Sequence, residues 1–335
     1  MCHCGSKDKP SPYAKLAAVL VAFLVISRPS LAGWYGGQEA HMGTEVTVYL
    51  WHDDDQVGQN AVNAVFAEVA RIDNLMSTYI EDSEMSAINR GAAEAPVAVG
   101  DELFTLILRS LDISVLTRGA FDITYDSVGQ HYDFREGRRP DDETISTELP
   151  RLNYQFVEPN RDDGTIRFTE EGVRINLGGI AKGYAVERGI DVLRRHGVAN
   201  ARVTAGGDSR LLGDRRGQPW MVGVQNPRDS EQVAVTIPLE NEAISTSGDY
   251  ERYFMEGDER YHHIIEPSTG QPVSDVRSTT IIGPDAVLTD ALSTSVFVMG
   301  VDQGLRLIAT LPDYEGIVID AEGQMFYSDG LQPPE

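Results

Sequence analysis

Apolar positions along the chain keep two different periods, and each change of period marks an element. Gly43–Trp51 (GTEVTVYLW) alternates apolar and polar side chains and is rich in β-branched residues, which predicts a strand. Val57, Ala61, Val65, Val69, Ile72 and Met76 then follow helical spacing, and Ser77-Thr78-Tyr79 ends that helix. A second helix is predicted from Asp101, as its N-cap, to Thr117, with Gly119 as its stop. Residues 135–150 are polar, charged and proline-flanked, a surface excursion, and Thr165–Leu177 reads as a hairpin around Glu170-Glu171-Gly172. In INLGGIAKGYAVER (Ile175–Arg188) a short apolar strand ends at Gly178-Gly179 and a helix follows, with Ile180, Tyr184, Ile190 and Leu193 inward and Gly197 as its stop. Further strands are predicted at Ala201–Ala205, Trp220–Gln225, Val233–Pro238, Tyr261–Glu266 and Ser278–Ile282. A helix over Asp285–Met299 stopped by Gly300, a helix over Gly304–Leu311 and a final hairpin close the chain.

Strands and helices are segregated in places, which favours an α+β fold over a doubly wound sheet. The strand–helix–strand unit around Gly178-Gly179 can be a parallel crossover, which would bring that turn beside the similar Gly206-Gly207 turn; antiparallel pairing would separate them. The N-terminus has a separate character. Lys7, Lys9 and Lys15 precede an apolar run from Leu16 to Ile26, and Ser30-Leu31-Ala32 offers small residues for a signal peptidase. The expectation is a signal peptide over residues 1–32, export to the periplasm, and a single domain over 33–335. A retained anchor is the weaker reading, because the run is short for a bilayer.

Cleavage after Ala32 would remove Cys2 and Cys4, and with them disulfides, thiolate metal sites and cysteine nucleophiles. It would also remove four Lys/Arg and one Asp, taking the formal charge from −24 to −27. So acidic a surface repels nucleic acid and anionic lipid, so no nucleic-acid partner is expected. Membrane contact is expected only through a partner or an uncleaved signal.

Several places can carry chemistry. The Gly178-Gly179 turn with Lys182 in the first turn of the next helix gathers backbone N–H groups and positive charge, as an anion site does. The spacing lacks the third glycine of a dinucleotide fingerprint. Asp290 and Thr294 stand one helical turn apart on one face and offer hard oxygen donors suited to Mg²⁺ with phosphate; a helix-start Asp and a core-edge Thr is the ordinary alternative. Ser245-Thr246-Ser247-Gly248 suits a ligand-lining turn or an ordinary one. His262 and His263 fall on opposite faces of a strand, and His263 is a candidate acid/base as well as a candidate structural histidine. A zinc site would need further His or Cys at ligand spacing, and none is evident. Tyr79 and Phe121 lie beside turns and can stack on a flat ring, with core packing the default for Phe121.

The order and identity of these segments carry more than each alone. MGTEV (Met42–Val46), STY (Ser77–Tyr79), GAFDIT (Gly119–Thr124), NLGGIAKGYAV (Asn176–Val186), AGGD (Ala205–Asp208), STSGDY (Ser245–Tyr250), HHIIEPSTGQPV (His262–Val273) and DALST (Asp290–Thr294) together resemble the ApbE family of FAD:protein FMN transferases, from Met42 to about Gly300. The resemblance implies a T-fold-related α+β fold of mixed sheets with packed helices. It implies Mg²⁺-dependent cleavage of FAD, attachment of FMN through a phosphoester to a Thr or Ser of a target flavoprotein, typically a membrane redox subunit, and release of AMP. By motif, Met42, Tyr79, Ala120, Phe121, Asp122, Lys182 and Ile265 should contact FAD. Asp290 and Thr294 should hold Mg²⁺ with a backbone oxygen near Gly179. His263 takes the position of the histidine linked to transfer, and Asp290 remains a second candidate base. Asn176 also belongs to the flavin contacts, and it departs from the family's usual Asp, keeping a carbonyl acceptor and losing a charge. The alternative reading is a periplasmic FAD-binding protein or FAD pyrophosphatase without a protein acceptor.

Overall fold

The structure, a computed structural model, describes Met1 and residues 32–331. The predicted signal segment falls outside them but for Met1 and Ala32. In chain order the strands are β1 (Gly33–His41), β2 (Thr44–His52), β3 (Val97–Ala98), β4 (Val157–Asn160), β5 (Thr165–Phe168), β6 (Asn200–Ala205), β7 (Asp208–Leu212), β8 (Trp220–Asn226), β9 (Asp229–Leu239), β10 (Ala243–Gly248), β11 (Tyr253–Glu256), β12 (Glu259–His262), β13 (Val276–Gly283), β14 (Glu315–Asp320) and β15 (Met325–Tyr327). The helices are α1 (Asp55–Met76), α2 (Glu84–Gly91), α3 (Asp101–Leu116), α4 (Asp126–Gly129), α5 (Asp142–Glu148), α6 (Ala181–Arg195) and α7 (Ala286–Ile308).

Eight strands form one sheet in the order β1-β2-β6-β7-β10-β13-β14-β15, antiparallel at every joint. The alternation read in β2 explains its placement. Val46, Val48 and Leu50 are buried beneath α1, whose Ala61, Val65 and Val69 share the same core, while Tyr49 between them turns to the other face. Helices α1, α6 and α7 lie side by side on this face, α1 over β1–β2, α6 over β6–β7 and α7 over β10, β13 and β14. The β8–β9 ribbon covers part of the opposite face, where Trp220, Val222 and Ile237 pack on Leu211, Ile244 and Ile282. An α+β architecture results.

The structure departs from the sequence expectations at several points. No strand forms before Gly178-Gly179, and the predicted Thr165–Leu177 hairpin is instead β4 against β5. Ile175 is held by the Asn89 side chain, which accepts from its N–H at 2.8 Å and donates to its carbonyl at 2.9 Å, so one amide does what a neighbouring strand would. The parallel crossover is not formed, because β6 pairs antiparallel with both β2 and β7. Asp101 is not the N-cap of α3. Gly100 takes that place, and Asp101 sits in the first turn, where a carboxylate complements the helix dipole. Strands β1, β3, β7 and β11 and helices α2, α4 and α5 are additions to the predicted elements, β1 because its glycines dilute the alternation. Gly300, with φ 74°, breaks α7 where a stop was expected.

Candidate active site

Four elements deliver the central residues. Helix α7 begins at Asp285, whose carboxylate accepts from the N–H groups of Val287 and Leu288 at 2.9 and 3.2 Å. Its register on the sheet is set by hydroxyl pairs: Ser245 to Thr289 at 2.9 Å, and Ser247 to Ser293 at 2.8 Å and to Thr294 at 3.2 Å. Two residues along β10 match one turn of α7, so Asp290 and Thr294 are fixed one above the other. The hydroxyls of Ser245 and Ser247 therefore dock a helix rather than line a ligand turn, and Thr246 pairs across to Thr280.

Helix α6 crosses α7 at Gly183. A Cβ there would stand 2.1 Å from the Ala286 carbonyl oxygen and 2.7 Å from the Asp290 Cβ, so only glycine permits the approach. That closeness lets the Gly183 N–H donate to Asp290 Oδ2 at 2.8 Å. It also places Lys182 Nζ 3.5 Å from Asp290 Oδ1 and in direct contact with Asp208. Asp208 follows the β6–β7 hairpin turn, Gly206-Gly207, so its ion pair with Lys182 ties the segment after one glycine turn to the segment after the other. Gly178-Gly179 itself lies at a helix start and not at a strand end.

The electrostatics are those of a buried charge cluster. Asp208 and Asp290 are almost wholly enclosed. Burial, and then the like charge of Asp208, push the Asp290 carboxyl up to about 7 against the pull of Lys182 and the Gly183 N–H. Burial opposes the Lys182 ammonium, yet the two carboxylates outweigh it and hold the group above its ordinary value. Asp208 Oδ1 is buried with no hydrogen-bond partner among the described residues. Burial also pushes Glu251, which feels Lys182 and Asp208, above the usual carboxylate range.

His263 follows β12, and its N–H donates to the Arg252 carbonyl at 3.1 Å. Burial, then the nearby Arg252, His262 and Lys182, drive its imidazole down to about 3, so it is neutral near neutral pH. Its Nδ1 is enclosed without a partner among the described residues. The strand predicted over Tyr261–Glu266 ends at His262, so His263 lies outside it; His262 is fixed in the fold, with Nε2 2.7 Å from the Val273 carbonyl and an edge contact to Phe297.

The remaining sequence candidates divide. Gly179 faces the cluster, for a Cβ there would lie 3.1 Å from the Phe121 ring and 3.4 Å from Thr294 Oγ1. Phe121 is a buried wall of that turn. Met42 has a left-handed backbone (φ 53°), its N–H donates to Asp73 at 2.8 Å, and its carbonyl faces Arg252 at 3.4 Å. A cavity of about 530 Å³ opens there, lined by residues 38–45 and Asp73. It adjoins the β6–β7 turn, since the Gly206 N–H donates to the Glu45 carbonyl at 3.0 Å. Tyr79 is 92% exposed, a ring free to stack. Ala120 is half-buried at the end of α3.

Two candidates have side chains already engaged. Asp122 accepts from the Thr124 N–H and hydroxyl and from the Tyr154 N–H at 2.6–2.8 Å, and Ile265 packs with Val128, Tyr132 and Ile145. Both are buried, and their backbones are engaged as well, the Asp122 carbonyl by the Tyr125 N–H and Ile265 by a bridge to Pro272. Asn176 accepts from the Gly178 N–H at 2.8 Å and donates to Asp126 at 3.2 Å. Asp208, Glu251, Arg252 and Asp126 were not assigned from sequence. Asp208 had a signal in the AGGD segment, and the other three have none outside their three-dimensional neighbours.

The family model for "ApbE family" matches residues 42–318. The FAD:protein FMN transferase of Vibrio cholerae is 32% identical over 263 residues, covering 76% of this chain and 77% of that protein. The protein of the same name from Treponema pallidum is 29% identical over 317 residues, covering 89% and 87%. Among solved structures, the ApbE protein of Thermotoga maritima aligns with a TM-score of 0.82 at 33% identity, covering 89% of this chain and 98% of that one. The flavin transferase ApbE of Vibrio cholerae aligns at 0.78 and 26%, with the same coverage. The site just described lies within the matched span, and the chain belongs to the ApbE family.

Proposed function

We propose that this chain is an FAD:protein FMN transferase that moves FMN from FAD to a Thr or Ser hydroxyl of a target protein and releases AMP. The observation that carries the reading is the meeting of Asp290, Thr294, the Gly179 turn, Lys182 and Asp208 beside a neutral His263. The names of the relatives above agree with it.

Magnesium fits these residues. The donors are all oxygen, and the unpartnered buried Oδ1 of Asp208 is an unmet acceptor that a cation relieves. Asp290 and Thr294, with the Gly179 backbone, would hold the ion. Bound there, it would neutralise charge on the pyrophosphate oxygens.

The chain's own groups supply the rest. Lys182 gives positive charge where the pyrophosphate would lie, while the Gly178, Ile180, Ala181 and Gly183 N–H groups are taken by Asn176, Leu177 and Asp290. Burial first, and then Arg252, His262 and Lys182, oppose protonation of His263, and a bound polyanion offsets the cationic part of that opposition. The imidazole then takes the acceptor hydroxyl proton. The hydroxyl oxygen forms a bond to the FMN phosphorus, the bridging P–O bond breaks, and AMP leaves with the displaced oxygen. The proposal includes export by the N-terminal segment and a membrane redox subunit as target, both on the sequence reading.

The test uses FAD, Mg²⁺ and a candidate acceptor domain. Flavin fluorescence should stay with the acceptor after denaturing electrophoresis, and His263→Ala should keep FAD binding and lose the labelled band. An unlabelled acceptor with free FMN and AMP marks the pyrophosphatase reading. Full labelling by the His263 variant removes that residue from transfer.

A further inference from the structure

Half-buried Asn176 and buried Asp126 form a polar pair that the proposed chemistry does not use directly. The Asn176 carbonyl accepts from the Gly178 N–H at 2.8 Å, and its amide donates to Asp126 Oδ1 at 3.2 Å and to Thr78 Oγ1 at 3.4 Å. Asp126 is 6% exposed, and its other oxygen accepts from Arg174 Nε at 3.2 Å. The backbone leading in is clamped on both sides: Arg174 N–H donates to Ser127 Oγ at 3.0 Å, Ile175 is held by Asn89, and Asn176 N–H donates to the Ile123 carbonyl at 2.9 Å. With the entry fixed, the Asn176 side chain decides how the Gly178-Gly179 turn leaves. That turn ends against Thr294 and the Phe121 ring.

We propose that Asp126 is a positioning residue for this turn, acting through Asn176, and that the pair works because one member is a carboxylate and the other an amide. An Asn amide is polar at both ends, so it accepts from the turn and donates to Asp126 at once. A carboxylate at position 176 would still cap Gly178 but would set a second acceptor about 3 Å from Asp126 Oδ1, which is itself buried, with Arg174 and the Thr78 hydroxyl as the donors at hand. The turn must then swing away, or the pair must take up a proton. The amide at position 176 is thus the necessary complement of the acid at position 126. Exchanging the two restores the arrangement. In the Asn176→Asp, Asp126→Asn double variant, the carboxylate at position 176 accepts from both the Gly178 N–H and the amide at position 126. The carbonyl of that amide still accepts from Arg174.

This inference rests on the transferase reading for its role in turnover but not for its test. FAD affinity, read by quenching of flavin fluorescence, is measured for the wild type, Asn176→Asp, Asp126→Asn and the double exchange, with thermal unfolding beside it. Asn176→Asp should weaken FAD binding about tenfold, Asp126→Asn less, and the exchange should return affinity to within about threefold of wild type. Should Asn176→Asp fail to fold, a folded, FAD-binding double variant carries the same conclusion. A double variant as weak as the two single losses combined, or one that does not fold, overturns the proposal. So do melting temperatures that follow the pattern while FAD affinity stays constant, because that marks a purely structural pair. A wild type that binds FAD without labelling an acceptor defeats the transferase reading and leaves this cycle readable.

Discussion

The Gly178-Gly179 turn and the Gly206-Gly207 turn each lead into one partner of the Lys182–Asp208 ion pair, and they are built differently. Gly206-Gly207 is a two-residue hairpin loop between β6 and β7, locked by backbone on both sides: the Gly206 N–H donates to Glu45 and the Gly207 carbonyl accepts from Thr246. A Cβ on Gly207 would stand 2.4 Å from the Thr246 carbonyl oxygen, a rigid neighbour. Gly178-Gly179 is held by side chains: Asn176 below it, the Tyr125 hydroxyl 3.0 Å from a Cβ on Gly178, and Phe121 and Thr294 around Gly179. One turn belongs to the frame. The other belongs to the site and is set by groups that can be changed without breaking a sheet.

That contrast can be broken by matched substitutions. Gly207→Ala should have the largest effect, because backbone must move: a loss of about 1–3 kcal/mol and a melting temperature lower by roughly 2–8 °C, with activity falling as Asp208 shifts. Gly179→Ala meets only the edges of two side chains at 3.1 and 3.4 Å, so its melting temperature should stay within about 2 °C of wild type while transfer drops about tenfold. Equal thermal losses in the two variants, followed by calorimetry, would erase the distinction.

A smaller effect sharpens it. The Asp290 carboxyl is raised in the folded chain from 3.8 to about 7. A raised acid contributes stability below its unfolded value and loses it as pH rises through the folded one. In the metal-free protein, Asp290→Asn should therefore raise the melting temperature by a few degrees at pH 8 and give little at pH 5, while transfer is lost. A gain confined to low pH would reverse the assigned sign.

Sequence periodicity carried the long helices and much of the large sheet, because α1, α3, α6 and β2 each bury one regular face, and it missed the short helices α2, α4 and α5. It failed where side chains replace backbone partners. The apolar Ile175–Leu177 run pairs with the Asn89 amide rather than a strand, and nothing local distinguishes the two. In the site, Asp290, Thr294, Lys182 and His263 were legible because each sits in a distinctive segment. Arg252 and Asp126 were not, since their roles come from contacts 210 and 50 residues away along the chain. Asp122 was legible as a position but not in its part, because its carboxylate holds Thr124 and Tyr154.

The central claim is that the cluster around Asp290 couples cleavage of FAD to capture of FMN by a protein hydroxyl. The direct measurement is the ratio of AMP released to flavin fixed on a purified acceptor domain, followed over one turnover with Mg²⁺ present. The account predicts one AMP per covalent flavin for the wild type and neither product for Asp290→Ala. AMP in excess of fixed flavin, or labelling that persists in the Asp290 variant, would contradict it.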